Sequence, residues 1–450
     1  MYGDPDGSRT VMIIGRTKSV CPVCLRVVDA EKRTDEDGIY LDKRCSEHGA
    51  FSALIWEGTP VSYLRWNSEN HAVDPPQGGR PPEKGCPQDC GLCTEHLRKG
   101  CCMLLELTKR CNLHCPVCFA AAGEEPAPDL SLAEIEKQYD YLMAHGGPFN
   151  IQLSGGEPTL RDDLPEIIRM GRDKGFTFFQ LNTNGLRLAS EEGYAEKLWK
   201  AGLNTVFLQF DALDDSVYVT LRGRALLAEK RRCIKNCAAA GLGIVLVPVI
   251  AHSVNEDQVG AIIRYALENA PAVRGVHFQP LSYFGRCALK RPERPVTIPK
   301  LLKLIEEQTD GLLHASDFYG GGAESAYCSF HASYRIGPEG ELKCLPRRQS
   351  SGCCCTSSDN SRNAVADQWS GAVSAFCEDD ALSETSALDS FLKQARQCTF
   401  TVSGMVFQDA WNLDLDRLRR CHICEVDSRY GMVPFCAYNL TNQNGEALYR

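Results

Sequence analysis

The sequence predicts an α/β protein built on a partial (βα)6 barrel. Between Leu104 and about Leu281, six short β-branched or aromatic runs alternate with amphipathic helix patterns. Such alternation gives a parallel sheet, and six units in about 180 residues suit an open barrel better than a closed eightfold one. The cysteines supply a further observation. Of 24, 11 lie from Cys21 to Cys118, three between Phe119 and Tyr327, and 10 from Cys328 to Cys436. Two thiol-rich ends therefore flank a thiol-poor centre.

The expected strands are Leu104–Thr108, Phe149–Gly155, Phe176–Gly185, Asn204–Asp211, Gly243–Ile250 and Arg274–Leu281. Each joins residues that suit a pleated sheet and ends in a turn signal. The expected helices are Ser131–His145, Asp162–Lys174, Glu191–Ala201, Ala225–Ala240 and Glu256–Asn269. Ser131 with Glu134 makes a capping box for the first of them. Residues 1–75 have hairpin character around Asp35–Gly38 and read as a metal-knuckle domain. The Pro/Gly-rich stretch from Asp74 to Gly85 opens a linker over 76–103. The barrel is expected over 104–310 and a cysteine-rich region over 311–450, in which Arg348–Thr385 reads as a long loop.

Lys and Arg number 49 against 58 Asp and Glu, a net charge of −9. That balance provides no field to gather nucleic acid or anionic lipid. The most apolar run, Gly241–Ala251, is about half the ~20 residues of a spanning helix, so no transmembrane segment is expected. Met1–Thr10 lacks the basic and apolar parts of a signal peptide. A cytoplasmic chain with reduced thiols is expected, and thiols kept reduced are offered to metals.

At the exit of the first expected strand stands CNLHCPVC, which holds Cys111, Cys115 and Cys118. Cubane clusters normally take four thiolates, so three on one loop leave an iron open or call for a ligand from elsewhere. Ser154-Gly155-Gly156-Glu157-Pro158 closes the second strand. Its glycines admit close approach of backbone to a ligand, and Glu157 can pair with an ammonium group. Asn182 and Asn184, Asp211 and Gln279 end later strands on the same side. Asn184-Gly185 also reads as a turn, Asp211 as a helix cap, and Arg222 as a solvated cation.

The flanks carry more thiols. Cys21, Cys24, Cys45 and His48 form two knuckles across a probable hairpin and suit tetrahedral zinc or mononuclear iron. Cys86, Cys90 and Cys93 repeat the spacing of the central triad, with Cys101 or Cys102 available as a fourth ligand for an auxiliary 4Fe–4S cluster. Cys328, Cys344, Cys398, Cys421, Cys424 and Cys436 are spread as an auxiliary cluster domain would gather its ligands. Cys353–Cys355 read as surface thiols. Cys233 and Cys237, one helical turn apart, read as small buried hydrophobes.

The central motif resembles the radical S-adenosylmethionine superfamily, with Val117 and Phe119 flanking the third cysteine and SGGEP standing where that family has GGE. Together with the CPVC and CSEHG knuckles and the tail from Met405 to Asn439, it resembles the group that contains the archaeal dihydropterin methylases and tetraether lipid synthases. Within that group it is most similar to a bacterial branch that includes selenoproteins. The resemblance implies a 4Fe–4S cluster on Cys111, Cys115 and Cys118. It also implies S-adenosylmethionine contacts from Phe119, Ser154, Gly155, Gly156, Glu157, Asn182 and Asp211, and the methionine carboxylate on Arg222. The implied chemistry is reductive cleavage to a 5′-deoxyadenosyl radical that takes a hydrogen atom from substrate. The electron would come from a reductant such as flavodoxin or ferredoxin. Methyl or alkyl transfer to an unactivated carbon is the first expectation, on a small-molecule, lipid or peptide substrate. C–C or C–S bond formation by a lipid or peptide maturase is an alternative, and a non-catalytic electron carrier or metal-stapled adaptor is another. The chain departs from its relatives at CHIC, Cys421 to Cys424, where they tend to show Cys-x-x-His.

Overall fold

A computed structural model describes residues 12–67, 73–91, 93–123, 128–321, 324–337, 339–346, 358–370 and 399–450. Four antiparallel strands in sequential order form the N-terminal ribbon: β1 Ile13–Val20, β2 Val27–Asp35, β3 Gly38–Cys45 and β4 Gly49–Glu57. The turn expected at DEDG joins β2 to β3, with Asp35 opposite Gly38.

The barrel strands are β5 Cys102–Glu106, β6 Asn150–Ser154, β7 Phe179–Thr183, β8 Thr205–Gln209, β9 Gly243–Val247 and β10 Val273–Pro280. All six pair in parallel, in chain order. Helices Leu132–Ala144, Leu164–Asp173, Tyr194–Lys200, Leu227–Ala239 and Val259–Glu268 cover the outside. The Ser131 capping box forms with both of its hydrogen bonds. The expected strand Gly243–Ile250 breaks at Pro248, which has no N–H to give, and resumes as Val249–Ile250 against β10. Helix Asp215–Arg222, which lies outside the expected helices, is capped by Asp214 and ends at Gly223, φ 84°.

The sheet does not stop at six strands. The following region supplies β11 Ser329–Ile336, β12 Leu342–Cys344, β13 Thr399–Met405, β14 Ile423–Asp427 and β15 Gly431–Pro434. β13 adds in parallel to β10, and β14 adds in parallel to β5. The barrel thereby gains one parallel strand at each edge, and each is covered in turn by an antiparallel one, β11 or β15. An open barrel exposes two rows of unpaired backbone groups, and these additions satisfy them.

Strand alternation sorts the two faces. Met103, Leu105 and Leu107 join the main core with Ile135, Tyr139 and Ile167 from the covering helices. Cys102, Leu104 and Glu106 therefore face the barrel interior. Helix Ser358–Trp369 closes the base. Trp369 packs with Phe178, Val245 and Phe207, and the Arg362 carbonyl accepts from Asn150 Nδ2 at 2.9 Å. Among the described residues, no helix is long and apolar enough to cross a membrane.

Candidate active site

The central thiols sit on the loop that leaves β5 at the C-terminal mouth of the barrel. Cys115 is buried, whereas Cys111 and Cys118 are half-buried. They share a small apolar cluster with Leu113, Tyr218 and Leu226, and that cluster holds no fourth thiol among its described members. Burial pushes the Cys111 thiol up to about 12 and raises that of Cys115. Without metal both are neutral, so loading a metal there must release protons.

Backbone bonds fix the shape of this loop. Arg286 Nε donates to the Cys115 carbonyl at 2.8 Å, and Arg222 Nη1 donates to that of Val117 at 3.0 Å. Val117–Cys118 forms a short antiparallel ladder with Arg286–Cys287. Asn184 Nδ2 donates to Asn112 Oδ1 at 2.7 Å.

SGGEP packs directly against the same loop. The N–H groups of Gly156 and Glu157 donate to the carbonyls of Thr108 and Arg110, each at 2.8 Å. A Cβ on Gly155 would stand 2.4 Å from the Thr108 oxygen, and one on Gly156 2.2 Å from that of Arg110. The glycines thus admit a neighbouring stretch of protein backbone. Glu157 is 1% exposed. Its Oε1 accepts from Thr159 N, Thr159 Oγ1 and Thr183 Oγ1, and its Oε2 accepts from Asn184 N at 2.7 Å. Its carboxylate ties the ends of β6 and β7 together instead of standing free for an ammonium group.

Asp211 and Arg222 meet in a buried two-pronged ion pair, Nε to Oδ2 at 2.7 Å and Nη2 to Oδ1 at 2.8 Å. The fork that the resemblance assigns to a methionine carboxylate is held by Asp211. Asp211 caps no helix either; its Oδ1 accepts from Val249 N at 3.1 Å. Asn182 faces the interior, where it accepts from Gln180 Nε2 at 3.0 Å. Phe119 stacks at a tilt on Phe435, 5.5 Å between centroids, and Ser154 is buried at the end of β6.

Three features escaped the sequence. Lys230 is fully buried, and its Nζ donates to the Asn184 carbonyl at 2.6 Å and to Gln209 Oε1 at 3.1 Å. Burial lowers its pKa to about 8. Glu106 pairs with Arg450 at 2.6 Å, across the length of the chain. Glu425, 1% exposed on β14 and on the same face as Leu104, is held well above the usual carboxyl range by burial and by Glu106. The one available signal was the alternation that places a charged residue inside an otherwise apolar strand.

In the ribbon, the ligand atoms of Cys21, Cys24, Cys45 and His48 lie within 4.8 Å of one another. Backbone and His48 hydrogen bonds lower the Cys45 thiol to about 6. Three sulfurs and an imidazole at such spacings fit a tetrahedral zinc ion.

Beside the barrel, Cys86 and Cys90 share a hydrogen bond, and Cys90 and Cys93 line a small pocket with Cys424 and His96. Cys102, suggested as their fourth partner, faces the other side of β5 toward Gln152. Cys328, Cys421 and Cys436 lie within electrostatic reach of one another. Cys344 does not join them. It pairs with Tyr334, six residues along β11 from Cys328, which is about 20 Å away at the rise of a strand. Cys398 and Cys353–Cys355 lie outside the described residues. Cys233 and Cys237 are both buried in the main core.

Residues 105–266 match the family model of the radical SAM superfamily. The chain carries a radical SAM domain. Its thiol loop and SGGEP turn both fall within that match. Residues 13–57 match the HMPTM N-terminal zinc ribbon domain. A 7,8-dihydro-6-hydroxymethylpterin dimethyltransferase of Methanocaldococcus jannaschii is 41% identical over 308 residues, covering 68% of this chain and 60% of that protein. The chain therefore spans less than two thirds of that relative. A probable GTP 3',8-cyclase of Methanothermobacter thermautotrophicus is 28% identical over 268 residues, covering 56% of this chain and 86% of that one. Among solved structures, Streptococcus suis SuiB bound to S-adenosylmethionine gives a TM-score of 0.40 at 19% identity, with 47% of each chain covered.

Proposed function

We propose that this radical SAM domain cleaves S-adenosylmethionine and installs a methyl or alkyl group on an unactivated carbon of a small molecule. The observation that carries this reading is the loop of Cys111, Cys115 and Cys118, three thiols at the barrel mouth in a cluster with no fourth. A 4Fe–4S cluster bound there would keep one iron open to the cofactor and supply the electron that breaks its sulfonium to a 5′-deoxyadenosyl radical. Similarity over 308 residues to a protein named as a dimethyltransferase supports methyl transfer.

The protein's own part is positional. The Arg222–Asp211 pair and Arg286 set the loop, and SGGEP braces it from β6. With its fork on Asp211, Arg222 acts as a positioning residue. Phe119, Asn182 and the polar ends of β6 to β8 face the space above, and we assign the nucleotide to them. The interior wall carries Gln152, Gln180 and Asn182, joined by hydrogen bonds, and His277 bonded to Ser403 at 2.9 Å. A wall of amides and imidazole suits a polar substrate better than an alkyl chain.

Around this centre we place zinc in the ribbon and auxiliary 4Fe–4S clusters on Cys86, Cys90 and Cys93 and on the Cys328, Cys421 and Cys436 group, with Cys424 facing the first of these. A small electron carrier of the flavodoxin or ferredoxin kind and a cytoplasmic setting fit such thiols. The test is anaerobic reconstitution with iron and sulfide, followed by reduction in the presence of S-adenosylmethionine. Mass spectrometry should find 5′-deoxyadenosine from the parent and none from Cys115→Ala. Equal yields would end the proposal.

A further inference from the structure

Where the ribbon meets the barrel mouth lies a small cavity, walled by Ile55 of β4 and by Phe407 just beyond β13. Its polar lining is unbalanced toward donors. Arg291 and Arg417 both border it, and so does Thr297. Among the described residues, Arg291 Nε and Nη2, Arg417 Nε and Thr297 Oγ1 are buried without a hydrogen-bond partner. Leaving such groups unpaired costs about 1–3 kcal/mol each, more for a charged one, so four together call for an acceptor.

The donors are fixed in place. Arg291 lies over the Trp411 ring at 5.6 Å, and Arg417 Nη2 donates to the Tyr327 carbonyl at 3.0 Å. Thr297, 4% exposed, occupies the N-cap of helix Ile298–Gln308 but makes no capping bond. Its hydroxyl is therefore free toward the cavity, and the positive end of an 11-residue helix opens beside it. One carboxylate, Asp409, also borders the space. It is spent on its own turn, accepting from the backbone N–H groups of Tyr283, Trp411 and Asn412 at 3.1, 3.0 and 3.3 Å.

We infer that this cavity binds the phosphate group of a small phosphorylated ligand. Nε and one Nη form the edge by which a guanidinium holds two oxygens of an oxyanion, and that edge of Arg291 is the one left open. Thr297 Oγ1, Arg417 Nε and the helix end remain for a third oxygen, and two guanidiniums against the single carboxylate of Asp409 leave the wall net positive toward an anion. Because Ile55 forms part of the wall, the zinc ribbon completes the site. Phe407 packs at a tilt on Phe435, 4.4 Å between centroids, and Phe435 meets Phe119 of the thiol loop, so three rings in series join the cavity wall to the candidate centre.

Equilibrium dialysis of the zinc-loaded chain against radiolabelled inorganic phosphate tests this without cluster or cofactor. We expect one saturable site per chain, and Arg291→Gln and Thr297→Val should each weaken it about tenfold or more. Arg291→Lys should recover part of the loss, and Cys115→Ala should bind like the parent, which separates this site from the radical chemistry. Zinc content and melting temperature without phosphate show whether each variant is folded, and Thr297→Val, which removes no charge, carries the test if Arg291→Gln is not. Absence of saturable binding, or equal binding by parent and both variants, overturns the inference. Tighter binding of succinate than of phosphate overturns it in favour of a carboxylate site.

Discussion

The guanidinium of Arg222 grips Asp211 through two nitrogens and donates with the third to the carbonyl of Val117, one residue before Cys118. A buried ion pair at the end of β8 thereby dictates where the thiol loop lies. Its partners come from the fourth barrel strand, the helix after it and the loop after the first strand, so the pair acts as a strut across the barrel mouth.

Asp211→Ala should destabilise the fold by about 3–5 kcal/mol, because it leaves a buried guanidinium without a counter-charge. Adding Arg222→Met to it should recover much of that loss while leaving the loop unanchored. Denaturant unfolding measures the first effect, and iron content after reconstitution measures the second. A single variant as stable as the parent would show that the strut contributes nothing.

Gly156→Ala places a methyl carbon 2.2 Å from the Arg110 carbonyl oxygen, a backbone atom that moves only with the thiol loop. The strain should cost about 1–3 kcal/mol, and cofactor cleavage should fall with iron retention. Undiminished iron loading and an unchanged melting temperature would contradict this packing.

Lys230 adds a pH-dependent contribution of known sign. Its pKa is about 8 in the folded chain against 10.5 when free, so between these values the unfolded chain holds a proton that the folded chain lacks. Its own contribution to stability should therefore rise with pH across that window, by up to ~1.4 kcal/mol per pH unit, against the fall set by thiols that burial raises, such as Cys115, and should be level below it. Lys230→Met should remove that rising contribution. Unfolding free energies of parent and variant across the window, differing by a constant, would refute the assignment.

Cys45→Ser should remove zinc from the ribbon and loosen its contact with the barrel, where Lys32 pairs with Asp414 at 2.7 Å and Lys43 donates to the Ala410 carbonyl at 2.7 Å. Limited proteolysis should then cut first within residues 13–57, while iron loading at the central loop persists. A chelator should act on the parent in the same way. Iron loss in step with zinc loss would show that the two sites are coupled.

Much of the fold was legible in the chain because its signals are local. Ser131 and Glu134 cap a helix from three residues apart, Pro248 breaks a strand by lacking a hydrogen, and six alternating units demand a parallel sheet. The four ribbon ligands were readable for the same reason, since two short knuckles on a hairpin bring them together within 4.8 Å. Edge strands β13 and β14 were not readable, because nothing in a strand's own residues names the partner across one hundred or more positions.

By itself the sequence determined the thiol loop, its place after the first barrel strand, and the order of the six strands. Each of these follows from residue type and spacing along the chain. Only the tertiary structure decided how the charges are spent: Glu157 on β7, Arg222 on Asp211, Glu106 on Arg450, and the open edge of Arg291 on a cavity beneath the ribbon. A charged side chain reaches whatever the fold sets beside it, and in a buried site its partner is chosen by distance through space, which the order of residues does not encode.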